Sequence, residues 1–174
     1  MPTASTAKKT VEALKCANKT LACAESCTGG LIAKKITDVS GASAVFHGGV
    51  VSYVNAVKNV VLGVDRTDLE THGAVSEAVA RQMAAGARLL LHTDLAVSTT
   101  GVAGPAKDER GNAVGTVYIA LATESGTVCH RCHFDGTRTQ IRMAAADYAL
   151  SLVLRHLNEE VLQDIPNTEI QEVL

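Results

Sequence analysis

A short apolar run that breaks into small residues and then resumes at helical spacing sets the terms for this chain. Leu21 to Ala24 reads as a buried strand. It stops at Glu25-Ser26-Cys27-Thr28-Gly29-Gly30, after which Leu31, Ile32 and Ile36 mark a helix. A strand, a small-residue turn and a helix start are the parts of an α/β unit. In open α/β sheets, ligands sit where strand ends meet loops and helix N-termini.

The rest of the chain follows the same grammar. Val11, Leu14 and Cys16/Ala17 give a first helix over about 8–18, after a polar start at 1–6. Val39 to Ser43 is turn-rich, and Val45 to Val54 reads as a strand interrupted by Gly48-Gly49. Asn55 is placed to cap a helix ending at Leu62, and Thr67 with Glu70 has capping-box spacing. Ser76 and Glu77 open a helix over 76–92 whose Ala80, Ala84 and Ala87 permit close packing. Leu95 to Thr100 is apolar and β-branched, hence a central strand, and it runs into Gly101-Val-Ala-Gly104-Pro105. Val114 to Thr123 and Thr127 to Phe134 form a hairpin, and Thr137 opens a last helix to about Leu157. Alternating helices and strands followed by a hairpin imply one α/β domain over 1–174, with a mixed sheet covered on both faces. Its core lies at about 8–157, and the acidic tail at 159–174 frays or docks on a partner subunit.

Composition narrows the function classes. The chain of 174 residues carries 16 Lys and Arg against 18 Asp and Glu, a net charge of −2, so there is no electrostatic footprint for nucleic acid or an anionic membrane. With three Tyr, two Phe and no Trp, a base-stacking surface has little to work with. Five cysteines are an odd number, and no signal-peptide pattern or membrane-length apolar run occurs. A reduced, cytoplasmic setting is expected. Cys129-His130-Arg131-Cys132-His133 lies in a strand, which splits these side chains between two faces, so no metal site is expected.

Several residues carry possible chemistry. The first loop offers hydroxyls at Ser26 and Thr28 and backbone N–H groups at Gly29 and Gly30. This is either an anion cradle at a helix start or a tight turn capped by Thr28. Gly41-Ala42-Ser43 presents a hydroxyl among small residues, and Lys58 follows fifteen positions later. A serine attacks an amide when a base takes its proton, and a buried neutral lysine is such a base; an isolated lysine on a helix is otherwise a surface residue. Tyr53 lies between them, as a further hydroxyl or as strand packing. Arg138 and Arg142, four apart on one helix face, read as a phosphate clamp or an exposed basic face.

Read in order, the blocks resemble one family. Ala24-Glu-Ser-Cys-Thr-Gly-Gly30, Thr37-Asp-Val-Ser-Gly-Ala-Ser43, Gly49-Val-Val-Ser-Tyr53 with Asn55 and Lys58, and His72-Gly-Ala-Val-Ser-Glu77 are its motifs. Thr100-Gly-Val-Ala-Gly-Pro105, Gly115-Thr-Val-Tyr118 and Gly136 with Arg138 and Arg142 complete the set. The chain resembles the CinA C-terminal domain family, whose members include nicotinamide-nucleotide amidases. The resemblance implies a three-layer α/β/α sandwich, often dimeric or of higher order, that takes a small nucleotide substrate and needs no cofactor. It maps a serine–lysine pair to Ser43 and Lys58, with Ser26 as the other candidate nucleophile. Tyr53, Thr100 and Gly101 then lie nearby, and Arg138 or Arg142 holds the phosphate. One segment departs from the pattern. Ala106 replaces a glycine, Asn112-Ala113 replaces Lys-Pro, and Thr137 replaces Asp. That departure keeps open a second reading, a nucleotide-binding or regulatory module with weakened catalysis.

Overall fold

A computed structural model of the chain describes residues 4–164. In chain order the elements are α1 (Thr6–Cys16), β1 (Leu21–Glu25), α2 (Leu31–Thr37), a 3-10 turn (Ala42–Ala44), β2 (Phe46–Val51), α3 (Asn55–Leu62) and α4 (Arg66–Thr71). They continue with α5 (Glu77–Leu91), β3 (Leu95–Gly101), β4 (Thr116–Ala122), β5 (Thr127–His133) and α6 (Arg138–Asp164). The five strands form one sheet in the order β2-β1-β3-β4-β5. β1 pairs in parallel with β2 and β3, whereas β4 and β5 add antiparallel strands. Among the described residues no helix is long and apolar enough to cross a membrane.

The two faces of the sheet differ in side-chain size, and this decides how the layers stack. Leu21, Cys23, Val97, Ile119 and Leu121 point to one face, where they meet Val11 and Leu14 of α1, Ile32 and Ile36 of α2, and Ile141, Leu150 and Val153 of α6. The alternate residues Ala22, Ala24, Ala96, Ala120 and Ala122 point the other way, toward Val79, Ala80, Met83, Ala84 and Ala87 of α5. Alanine against alanine brings α5 close to the strands. Ser98 in mid-sheet then donates from its hydroxyl to the Ala80 carbonyl at 2.6 Å. The result is the expected three-layer α/β/α sandwich with a mixed sheet.

The helix ends follow local chemistry, with two departures from the expected caps. Ser76 caps α5 by accepting from the Val79 N–H. Asn55 lies inside α3, after an N-cap at Val54 that makes no side-chain cap bond. Asp65, rather than Thr67, caps α4, because its carboxylate accepts from both Thr67 N–H and Asp68 N–H. At the start of α6, Thr137 and Gln140 bond reciprocally, with the Thr137 N–H to Oε1 at 2.8 Å and the Gln140 N–H to Oγ1 at 3.4 Å. β2 ends at Val51, short of the expected Val54, and α6 runs past Leu157 to Asp164. The remainder of the acidic tail lies outside the described residues.

Connectivity places a crevice. From β1 the chain crosses by α2 to β2 on one side, then by α5 to β3 on the other, so adjacent strands β1 and β3 lead away in opposite directions. Their carboxyl ends are the topological switch point of the sheet, where α/β proteins bind ligands.

The close approach of α5 generates a test. A Cβ on Gly86 would overlap the carbonyl of Leu62 at the end of α3. Gly86→Ala is expected to lower stability by roughly 2 kcal/mol, the usual cost of overpacking a rigid contact. A urea-denaturation midpoint measures it. A gain in stability from the better helix former would show that α3 and α5 are free to part.

Candidate active site

The site begins at the end of β1, where the backbone turns sharply. The Ser26 N–H bonds the Thr99 carbonyl of β3 at 2.9 Å, and the Gly29 N–H returns to the Ser26 carbonyl at 3.2 Å. Gly29 and Gly30 carry φ of +57° and +97°, a left-handed conformation that glycine adopts without strain. Two charged side chains hold this turn from opposite sides. Glu25 is buried, and its carboxylate accepts from the N–H groups of Gly30 and Ile32, both at 3.0 Å, and of Ala33 at 2.9 Å. It therefore satisfies the start of α2 with a fixed internal anion. Arg142 of α6 donates to the carbonyls of Cys27 at 3.0 Å and Thr28 at 2.9 Å. Thr28 is buried, with its hydroxyl 2.7 Å from that of Thr99.

Lys58 meets this turn from α3. Lys58 and Leu62, four apart, form the buried face of that helix. The lysine is only 1% exposed. Its Nζ lies 3.0 Å from Ser26 Oγ and 2.7 Å from the Ser52 carbonyl oxygen. Among the described residues it forms no salt bridge, so burial dominates and lowers its pKa from the ordinary 10.5 to about 8. Cys27, beside Ser26, is held the other way. Burial pushes its thiol up to about 11, so it stays protonated and is no rival nucleophile.

Around the pair opens a cleft of about 200 Å³, lined by Ser26, Cys27, Tyr53, Lys58, Thr100 and Arg138, with Ala74, Val75, Gly101 and Ala103 as its smaller walls. Arg138 donates to the Gly104 carbonyl at 2.6 Å and to the Tyr53 hydroxyl at 3.1 Å. Thr100 donates its hydroxyl to the Ala74 carbonyl at 2.7 Å. The cleft thus brings together a hydroxyl beside a buried amine and an exposed guanidinium at the rim. Such a set can activate the hydroxyl for attack and hold an anionic group on the same ligand.

The expected pairing of Ser43 with Lys58 is not formed. Ser43 is exposed on the 3-10 turn and lines a separate depression with Thr37, Val39, Ser40 and Phe46. That turn precedes β2, whose first residue pairs with the first residue of β1, whereas Ser26 follows the last. The whole strand, roughly 15 Å at its usual rise, separates the two serines. Of the two candidate nucleophiles, Ser26 is the one at Lys58. The first loop fits neither of its two expected readings: α2 is N-capped at Gly30 rather than Thr28, with no side-chain cap bond, and the groups expected to cradle an anion at Thr28, Gly29 and Gly30 are largely engaged. The Gly30 N–H is taken by Glu25, the Gly29 N–H by Ser26, and the Thr28 hydroxyl faces Thr99. The two arginines separate in task, because Arg142 grips the turn and Arg138 faces the cleft. The divergent 104–115 loop contributes no residue to the cleft wall, although its Gly104 carbonyl holds Arg138. Asp108 holds Asn112 through both its N–H and its side-chain amide, each at 2.7 Å, and Arg110 reaches the Thr71 carbonyl at 2.9 Å.

Sequence reasoning missed Glu25, Arg142 as a turn clamp, and Ser52. Glu25 left one signal, a carboxylate closing an apolar strand just before a helix start.

Known proteins place this fold. A model of the CinA C-terminal domain family matches residues 3–157. A CinA-like protein of Syntrophomonas wolfei is 51% identical over 139 residues, 80% of this chain and 33% of that protein. Another from Syntrophus aciditrophicus is 48% identical over 139 residues, covering 79% and 33%. The chain therefore spans about a third of the length of these curated relatives. A CinA superfamily protein from Klebsiella pneumoniae superposes with a TM-score of 0.87 at 30% identity, covering 88% of this chain and 96% of that one. The competence/damage inducible protein CihA from Agrobacterium tumefaciens gives 0.83 at 39%, covering 88% and 93%.

Two measurements probe the site's electrostatics. Glu25→Gln keeps the shape but turns an amide toward three N–H donors, and is expected to cost about 2 kcal/mol in urea unfolding. For Lys58, the folded pKa of about 8 lies below the ordinary 10.5, so between these values the unfolded chain binds more protons. The penalty for burying the charge is complete below about pH 8 and is relieved as pH rises toward 10.5. Stability measured from pH 7 to 10 is expected to climb in the wild type relative to Lys58→Met, with the variant at least as stable at pH 7.

Proposed function

The chain belongs to the CinA C-terminal domain family, and from that premise we propose that it is an amidohydrolase converting nicotinamide mononucleotide to nicotinate mononucleotide and ammonia. The observation that carries this reading is the buried Lys58 amine 3.0 Å from Ser26 Oγ. The family resemblance contributes the carboxamide substrate. The cleft's exposed Arg138 suits a phosphate.

The chemistry follows from the pair. Neutral Lys58 takes the Ser26 proton as Oγ attacks the carboxamide carbon. The resulting ammonium gives that proton to the leaving nitrogen, which departs as ammonia and leaves an ester on Ser26. Lys58 then takes a proton from water, the hydroxide oxygen attacks the ester carbon, and the proton returns to Ser26 Oγ as the acid leaves. The N–H groups of Cys27 and Thr28 donate to no other residue among the described residues, and Cys27 directly follows the nucleophile. That is the usual position of an oxyanion donor on a strand–turn–helix, worth roughly 3 kcal/mol. Arg142 and Glu25 keep the turn rigid while charge develops. Ser43 has no part in the reaction.

The test is ammonia release from nicotinamide mononucleotide by the purified chain. Ser26→Ala and Lys58→Met are each expected to lower kcat by about 10³-fold or more, and Ser43→Ala to leave it near wild type. The acid limb of kcat/KM is expected near pH 8, with activity rising as Lys58 loses its proton. Arg138→Ala is expected to raise KM for the mononucleotide and to leave the unphosphorylated nucleoside unaffected. Tight binding of the mononucleotide without turnover would contradict the reading and favour a binding module.

A further inference from the structure

One polar atom at this site has no partner among the described residues. Ser52, between β2 and α3, is fully buried, and its hydroxyl makes no hydrogen bond in the structure. Buried hydroxyls are rarely left so. The main chain of the same residue is fully engaged. Its N–H donates to the Glu25 carbonyl at 2.8 Å, and its carbonyl accepts from Lys58 Nζ at 2.7 Å. The backbone is pinned at both ends, so the hydroxyl can be re-aimed only by rotation about Cα–Cβ.

The proton count on Lys58 bears on the orphan hydroxyl. A neutral amine has two N–H donors and one lone pair. Facing Ser26 as a base, it accepts from Oγ and donates to the Ser52 carbonyl. The ammonium formed when Ser26 gives up its proton has three donors and no acceptor. Two acceptors touch Nζ, the Ser26 oxygen and the Ser52 carbonyl oxygen. Each form thus leaves one N–H without an acceptor, but an unpartnered donor costs more on the charged ammonium than on the neutral amine, and so opposes formation of the charge.

We propose that Ser52 is a positioning residue for Lys58, its unpartnered hydroxyl turning to accept the third N–H of the lysine ammonium. This deepens the amidohydrolase reading and rests on Lys58 acting as its base. Ser52 touches no substrate. It acts by setting how readily Lys58 holds a proton. The other titratable and charged groups at this site are the thiol of Cys27 on the β1 turn, Glu25 at the end of β1, the hydroxyl of Tyr53 after β2, and Arg138 and Arg142 of α6. None of them shares a hydrogen bond with Nζ.

The sign follows from which form is stabilised. A hydroxyl that accepts from the ammonium favours the charged state and raises the lysine pKa, so removing it lowers that pKa. The test is an NMR titration of Lys58 in the full chain labelled at lysine Cε, with the resonance assigned by its loss in Lys58→Met. Ser52→Ala and Ser52→Gly are each expected to lower the Lys58 midpoint by about one pH unit, a tenfold change in the amine-to-ammonium ratio. Ser52→Thr, which keeps the hydroxyl, is expected to retain the wild-type midpoint. Ser52→Ala removes an unsatisfied group, so the fold is expected to survive it, and Ser52→Gly provides a second route. Unchanged midpoints in both variants would overturn the proposal, as would a threonine variant that shifts as far as alanine. From the wild type to Ser52→Ala, the acid limb of kcat/KM is expected to move down with the titration. A wild type that releases no ammonia at any pH would overturn the amidohydrolase reading alone, because the titration decides Ser52 without turnover.

Discussion

A lysine amine taken out of water, with no carboxylate to meet it among the described residues, is the constraint on which this site is built. Burying a charge unpaired is expensive, and the group responds by giving up its proton more readily. For Lys58 that response places the amine–ammonium balance near pH 8, with Ser26 Oγ 3.0 Å away. Pairing Lys58 with an acid would stabilise its charge and remove its use as a base. The carboxylate nearest in sequence to the nucleophile, Glu25, is instead consumed by three backbone N–H groups at the start of α2.

The sheet supplies the rigidity this arrangement needs. Its alanine face brings α5 close, and its face of larger side chains seats α1, α2 and α6. α6 then reaches the site twice, one turn apart. Arg142 grips the carbonyls of Cys27 and Thr28, and Arg138 bridges Gly104 and Tyr53 across the rim of the cleft. Because β1 and β3 send the chain in opposite directions, the Ser26 turn and the Thr100–Gly101 strand end form the two sides of one crevice.

Much of this was legible from residue pattern. The strand–turn–helix at Leu21 to Ile36, the central strand at Leu95 to Thr100, the hairpin and the Ala-rich helix all carry periodicities that survive in the fold. The nucleophile was not settled, for a topological reason. Ser43 is nearer to Lys58 in sequence than Ser26 is, but β2 carries the chain from one end of the sheet to the other between them. The pairing depends on parallel register between β1 and β2, which no local pattern encodes. The phosphate cradle failed for a related reason. Glycines after a strand signal available N–H groups, but a carboxylate five residues before Gly30 had already taken one of them. Caps were misplaced where two candidates stood close together, as with Asp65 and Thr67.

The central claim is that Ser26 carries the acyl group in turnover. Trapping the acyl-enzyme tests it most directly. The full chain is mixed with nicotinamide mononucleotide, quenched in acid during turnover, digested with trypsin and mapped by mass spectrometry. Cleavage after Lys19, Lys34, Lys35 and Lys58 puts Ser26 in peptide 20–34 and Ser43 in peptide 36–58. The account predicts the acyl adduct on peptide 20–34, at Ser26. An adduct on peptide 36–58, at Ser43, would contradict it.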